Sequence, residues 1–488
     1  MKNKPKSRRG SLTQHLTAYT ISELAPLIEQ GEVRSLEVTQ AYLERITTYD
    51  PLLVSYATVT EQLALRMAQQ ADDLQANGTY TGPLHGIPLG LKDLFDVQGV
   101  PTTACSPALL DNIAQEDATV VQKLKAGTAV LLGKQTMGEW AMKADNSNPL
   151  SGTCRNPWNT DCDPGGSSGG SAVAVAAGLA AASLGTDSGG STRIPAAFCG
   201  IVGFKPTLGR ISNRGVIPLS WSLDTAGLFT RSVEDAALLL QQLAGFDPQD
   251  PYTSNMPVPD YRSTLKNGVR GWNIAFARAP FLNEDEQLQP DIAEAFEQAL
   301  HVFERLGARL HEVEPPADSR VRSLNGLLLT CDAAAYHYER LQKQPEAYSD
   351  SVRESLTYGA AIASIEYARA RHEQTRIRRS MQRFFADYDL LLTPTTPVVS
   401  PPLAETQAEK EQRAGLNCFT AAWNLTGLPA LTLPCGFSKT GLPIGLQIVG
   451  NAWNEPRILC AATAYEQACE WSAQQPALHL PTTQEEEQ

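Results

Sequence analysis

Two Gly/Ser-rich loops bracketing one wholly apolar stretch constrain this chain more than any other feature. They read Asp163-Pro-Gly-Gly-Ser-Ser-Gly-Gly-Ser171 and Gly185-Thr-Asp-Ser-Gly-Gly-Ser-Thr-Arg-Ile-Pro195, and Ala172–Leu184 lies between them. The apolar stretch is too short, and too interrupted by Gly178, to span a bilayer, so it reads as a buried helix running into a strand. Loops at both ends of such a segment converge on the interior, where unsatisfied hydroxyls and amides are costly. That argues against a flexible Gly/Ser linker.

Gly-rich loops can also cradle phosphate. Neither loop here is followed by Gly-Lys-Ser/Thr, and neither fits GxGxxG. Nucleophilic catalysis remains: a serine hydroxyl needs a nearby base, and donors aimed at the oxyanion that forms. The seven histidines are dispersed, and none accompanies a Gly-x-Ser-x-Gly elbow. A lysine can replace histidine as base. Lys92 stands in the otherwise apolar run Gly86-Ile-Pro-Leu-Gly-Leu-Lys92. Taken alone it fits a surface lysine that snorkels or pairs with an acid; if buried, its pKa falls and it can accept a proton.

The run from about Gly86 to Thr207 resembles the amidase signature family. The resemblance rests on Gly86–Asp93, Arg155-Asn-Pro-Trp158, Pro164–Ser171, Gly185–Pro195 and Cys199-Gly-Ile-Val-Gly-Phe-Lys-Pro-Thr207. It continues to about Val449 through Ser222-Leu-Asp-Thr-Ala-Gly227, Thr393-Pro-Thr-Thr-Pro397 and Gly427-Leu-Pro429. The resemblance implies Ser191 as nucleophile, Ser167 as bridging serine after a cis peptide bond, and Lys92 as general base. It places the oxyanion hole at the backbone amides of Ser188, Gly189, Gly190 and Ser191. It gives Ser168 the task of holding Lys92, and Asp187 and Arg193 that of bracing the loop. No metal or cofactor is expected.

The expected reaction is hydrolysis of a linear amide, or of a carbamate or ester, through an acyl-enzyme. Met137, Trp140 and Trp221, with parts of 325–360, are expected to line the substrate pocket; each aromatic also fits a core position, and Met137 a gap-filler. The alternative is the glutaminase subunit of a tRNA-dependent amidotransferase. In such glutaminases a late basic run helps select glutamine; the matching stretch here reads Ser351-Val-Arg-Glu-Ser355, leaving only Arg353.

The remaining sequence frames this site. An alternation of strand and helix patterns along 488 residues predicts one large α/β domain, with a mixed, mostly parallel sheet covered by helices on both faces. The domain is expected over 19–480, with a helical segment at 19–80 and the core at 86–210. Residues 1–18 and 481–488 read as basic and acidic tails. A net charge of −13 argues against a generally polyanion-binding surface, although a basic patch can hide inside an acidic whole. Nine scattered cysteines read as buried thiols. A small-molecule amide, carbamate or ester substrate, no nucleic acid, no membrane, room for a homodimer and a cytoplasmic setting are the expectations that follow.

Overall fold

The computed structural model describes residues 13–282, 287–403, 415–469, 471 and 474–478. Eleven strands form one sheet: β1 (Tyr56–Val59), β2 (Pro88–Lys92), β3 (Val130–Gln135), β4 (Ala182–Asp187), β5 (Val202–Lys205), β6 (Thr225–Thr230), β7 (Asn273–Phe276), β8 (Arg309–Glu312), β9 (Leu390–Pro394), β10 (Ala430–Phe437) and β11 (Pro443–Val449). Their order is β1-β3-β2-β4-β6-β5-β10-β11-β9-β7-β8. The single α/β domain with a mixed sheet is as expected.

The parallel majority is not found. β2 pairs in parallel with β3 and β4, and β7 with β8 and β9. The other six pairings are antiparallel. Connection length explains the middle of the sheet. β10 ends at Phe437 and β11 begins at Pro443, and so short a link permits only an antiparallel return, because parallel pairs need a long crossover. The consecutive strands β2 and β3, and likewise β7 and β8, are joined across a helix and pair in parallel. Pro290–Arg305 crosses from β7 to β8 and buries Ile292, Phe296, Leu300 and Phe303 at helical spacing.

The apolar stretch resolves into the helix Gly169–Ala176 and strand β4, every residue of both buried. Gly, Ala and Val suit this place because their small side chains let the helix lie close to the sheet. The start of the fold differs slightly from expectation. Thr13–Ala18 form a 3-10 helix and Leu16 packs into the core, so ordered chain begins before residue 19. Thr20 and Glu23 then close a capping box at the head of Ile21–Glu29. Most of both expected tails, residues 1–12 and 481–488, lies outside the described residues. No described helix is long and apolar enough to cross a membrane.

Candidate active site

The site gathers where the parallel strands β2 and β4 end, the edge at which open α/β sheets present their chemistry. Lys92 is the last residue of β2 and is fully buried. Its Nζ donates to Ser167 Oγ at 2.8 Å and to Thr186 Oγ1, on β4, at 2.8 Å. The alternative reading as a surface lysine is therefore excluded. Burial lowers the ammonium pKa to about 7, against the opposing pull of the Asp224 and Asp187 carboxylates. The group is poised to exchange a proton near neutrality.

Ser167 enters through a cis peptide bond from Gly166, the arrangement that the family resemblance implies. Its carbonyl accepts from Gly138 N at 3.1 Å, which sets the 137–141 segment beside the relay. Gly166 is obligatory here, since a Cβ would stand 2.0 Å from Asp145 O.

Ser168 does not hold Lys92. Its hydroxyl donates to Thr186 O and accepts from Thr186 N, because it heads the helix Gly169–Ala176 and faces β4. Thr186 Oγ1 takes the part expected of it. No sequence cue marks this residue: one threonine in a strand is unremarkable until the strand is placed beside Lys92.

After β4 the chain turns through Ser188–Ser191 into the helix Arg193–Cys199, and Asp187 and Arg193 brace this turn. Arg193 Nε and Nη2 bond both Asp187 oxygens at 3.0 and 2.9 Å, a bidentate pair with no exposed surface. Arg193 also reaches Asn424 Oδ1, Gln447 Oε1 and Thr420 O, tying the turn to β11 and the 415–426 segment. Burial alone would raise the Asp187 carboxyl; Arg193, by charge and by hydrogen bonding, overrides it and holds the pKa at about 2.

Asp187 also changes the expected oxyanion hole. Its Oδ1 accepts from Gly190 N at 2.8 Å and its Oδ2 from Thr192 N at 3.1 Å, so the Gly190 amide is already engaged. The amides of Ser188, Gly189 and Ser191 find no acceptor among the described residues. Gly190 serves by its shape instead. Its φ is +132°, and a Cβ there would stand 2.2 Å from Thr420 Oγ1. Ser191 and Gly189 are part-exposed within this otherwise buried loop, and the Ser191 carbonyl accepts from Ser168 N at 3.3 Å.

Three further side chains shape the turn. Ser188 Oγ donates to Asp224 Oδ1 at 2.5 Å, and the amides of Leu219 and Ser220 hold Asp224 Oδ2. Burial raises the Asp224 pKa to about 6, against these bonds and the charge of Lys92. Asn325 Nδ2 donates to Ser188 O at 3.2 Å, while its Oδ1 is buried without a partner among the described residues. Thr420 Oγ1 donates to Gly189 O at 2.7 Å. Asp224 sits inside the motif Ser222–Gly227 and so carried a sequence signal; Asn325 and Thr420 carried none.

The expected pocket residues divide. Met137 is fully buried next to Gly138. Trp140 is buried with its ring against His337 and Tyr348, at centroid distances of 4.3 and 5.8 Å, so it sits in a packed cluster. Both residues share that cluster with Leu94, Cys105, Ile217 and Leu219. Trp221 is half-buried and lines a cavity of about 190 Å³ with Asp224, Asn213 and Tyr252. Arg353 lies on the helix Asp350–Ala361, 39% exposed and paired with Asp350 at 2.6 Å. Among the described residues no group of three or more His, Cys, Asp or Glu is arranged to hold a metal ion.

A buried lysine bonded to a serine, beside a Gly-rich turn with free amides, is the outline of a serine amidase. The Amidase family model matches residues 37–459, and the chain belongs to that family of amide-bond hydrolases. The chain is similar to the A subunit of glutamyl-tRNA(Gln) amidotransferase from Geobacter sp. (strain M21), with 40% identity covering 93% of this chain and 97% of that protein. The solved A subunit from Thermotoga maritima is 30% identical, with a TM-score of 0.81, and the alignment covers 95% of this chain and 99% of that one. A bacterial aryl acylamidase of the amidase signature family is 26% identical with a TM-score of 0.85, covering 93% and 97%. These likenesses correct one expectation. A role confined to a small-molecule substrate, without nucleic acid, conflicts with relatives named as subunits of an amidotransferase for a charged tRNA.

Proposed function

We propose that the chain hydrolyses a carboxamide through an acyl-enzyme on Ser191. The observation that carries this reading is the 2.8 Å contact of the fully buried Lys92 Nζ with Ser167 Oγ. In the proposed sequence neutral Lys92 takes the Ser167 proton while Ser167 takes that of Ser191. The Ser191 oxygen attacks the carbonyl, and the amides of Ser188, Gly189 and Ser191 receive the negative charge. The proton returns through Ser167 to the leaving nitrogen, which departs as the carbon–nitrogen bond breaks. Water then cleaves the ester, giving its proton to the same relay.

We infer further that the carboxamide is that of glutamine, and that the chain is the ammonia-releasing subunit of a tRNA-dependent amidotransferase. Near-full-length likeness to the amidotransferase A subunits supports this. So does the polar rim of the turn, where the side-chain amides of Asn325 and Asn417 approach Gly189. One observation favours a second reading, the hydrolysis of apolar amides, esters or carbamates: the guanidinium of Arg353 is already paired with Asp350 at 2.6 Å. A panel of glutamine, aryl amides, carbamates and esters decides between them. Preferred turnover of glutamine, with a co-purified partner that accepts the ammonia, supports the amidotransferase reading. Turnover of apolar amides that far exceeds that of glutamine, with no partner, overturns it.

A further inference from the structure

The helix Ser364–Asp387 carries six arginines against three acidic residues, in a chain whose net charge is −13. The sequence spacing sets five basic residues in one line. Arg369, His372, Arg376, Arg379 and Arg383 follow one another at intervals of three and four, which keeps them on one helix face. All five are exposed. Ala370, Gln374, Met381 and Phe385, buried against the body, occupy the opposite face. At the rise of an α-helix the stripe is about 21 Å long, with a basic group about every 5 Å. Arg376 pairs with Glu373 at 3.0 Å. Arg369, Arg379 and Arg383 have no carboxylate partner among the described residues.

A line of four arginines of which one is neutralised, within an acidic protein, costs self-repulsion and calls for an anionic partner. Its composition indicates which kind. A protein interface has a desolvated core with aromatic or aliphatic anchors. Between the arginines this face offers Ala368, Thr375, Gln382 and Ala386, with the exposed Ile365 only at its N-terminal end and Asp387 closing the other. Guanidinium groups on a short repeat suit a strand of phosphates, each able to bind one in a fork. We propose that this face of the helix Ser364–Asp387 docks the phosphate backbone of RNA. The choice of RNA among polyanions rests on the tRNA-linked reading above; the charge argument stands without it.

The test uses the purified full chain and a fluorescent tRNA transcript, with anisotropy read between 50 and 200 mM salt. Replacing four arginines together (R369A, R376A, R379A, R383A) is expected to weaken binding tenfold or more. It should also flatten the slope of log K against log salt by about 3, given roughly 0.7–0.9 for each phosphate no longer neutralised. Unchanged affinity and slope, or no binding by the wild type at 50 mM salt, overturns the proposal. Equal, arginine-dependent binding of polyglutamate also overturns it, since the face then reads charge and not RNA. Glutamine hydrolysis without RNA is followed on the same preparations. The arginine variant should retain whatever hydrolysis the wild type shows. Ser191→Ala should keep RNA binding, so the two readings fail separately.

Discussion

Lys92 Nζ stands 2.8 Å from Ser167 Oγ with no solvent-exposed surface of its own. Two carboxylates act on it from either side of the turn. Asp224 reaches the loop through Ser188, and Asp187 is neutralised by Arg193. Without Arg193 the second carboxylate would stand unpaired near the amine and favour its ammonium form. The buried ion pair thus leaves desolvation as the dominant influence on Lys92, and a neutral amine is what the relay requires.

Replacing the proposed nucleophile, Ser191→Ala, should lower amide turnover by about 10⁴- to 10⁶-fold, the usual range for loss of a serine nucleophile. The folded state should be unaffected, because Ser191 is part-exposed and its carbonyl, which accepts from Ser168 N, is retained in alanine. Steady-state rates with thermal melts on the same sample check both halves.

The pH profile should rise with pH through about 7 as Lys92 loses its proton. The same depression affects stability. Between about 7 and the ordinary value of 10.5 the unfolded chain binds the proton that the folded chain has released, so stability from this group rises with pH across that window. Lys205, buried and also lowered to about 7 by burial and by Arg193, adds to the slope. Lys92→Met should therefore abolish the kinetic limb but only reduce the slope of stability against pH, measured by denaturant titration from pH 7 to 10.

Thr186→Val removes one of the two hydroxyls bonded to Lys92 while keeping the shape of β4. A charge-assisted bond favours the ammonium form, so its loss should move the kinetic limb to lower pH and reduce kcat about tenfold. Ser168→Ala, which leaves Lys92 with both its partners, should leave the limb in place. Parallel pH–rate profiles of the two variants make the comparison.

Arg193→Ala leaves Asp187 buried and unpaired, and strips Asn424 and Gln447 of a donor. Breaking a buried pair from one side costs about 3–5 kcal/mol, and denaturant unfolding should show a loss of that order. The Asp187 carboxyl, no longer held at about 2, should then titrate at higher pH, so the loss of stability that this group contributes as pH falls from 3.8 towards 2 should disappear in the variant.

Much of this site is legible in the sequence because its chemistry lies in short runs. Gly166, Ser167 and the 187–193 turn need backbone that only Gly-rich loops provide, and the apolar stretch between them has to be buried. The helix carrying Ile292, Phe296, Leu300 and Phe303, and the parallel pairing it implies, follow from spacing alone. What is hidden depends on the meeting of distant segments. Thr186, Asn325, Thr420 and Gln447 are ordinary polar residues until the fold brings them to Lys92, Ser188, Gly189 and Arg193. Gly190 shows the same limit in reverse: its place in the motif implies an oxyanion donor, but Asp187 takes that amide. Sheet direction departs from the expected parallel majority because most antiparallel pairs join strands that are not consecutive in the chain, which no local spacing reveals; only the return from Phe437 to Pro443 is short enough to dictate its direction.

The most direct test of the central claim is to trap the acyl-enzyme. An activated ester is mixed with the protein, quenched within milliseconds, and the adduct located by peptide mass spectrometry. The account predicts one acyl group on Ser191, forming faster as pH rises through about 7 and absent from Ser191→Ala. Turnover with no adduct, or an adduct on another residue that persists in Ser191→Ala, would contradict it.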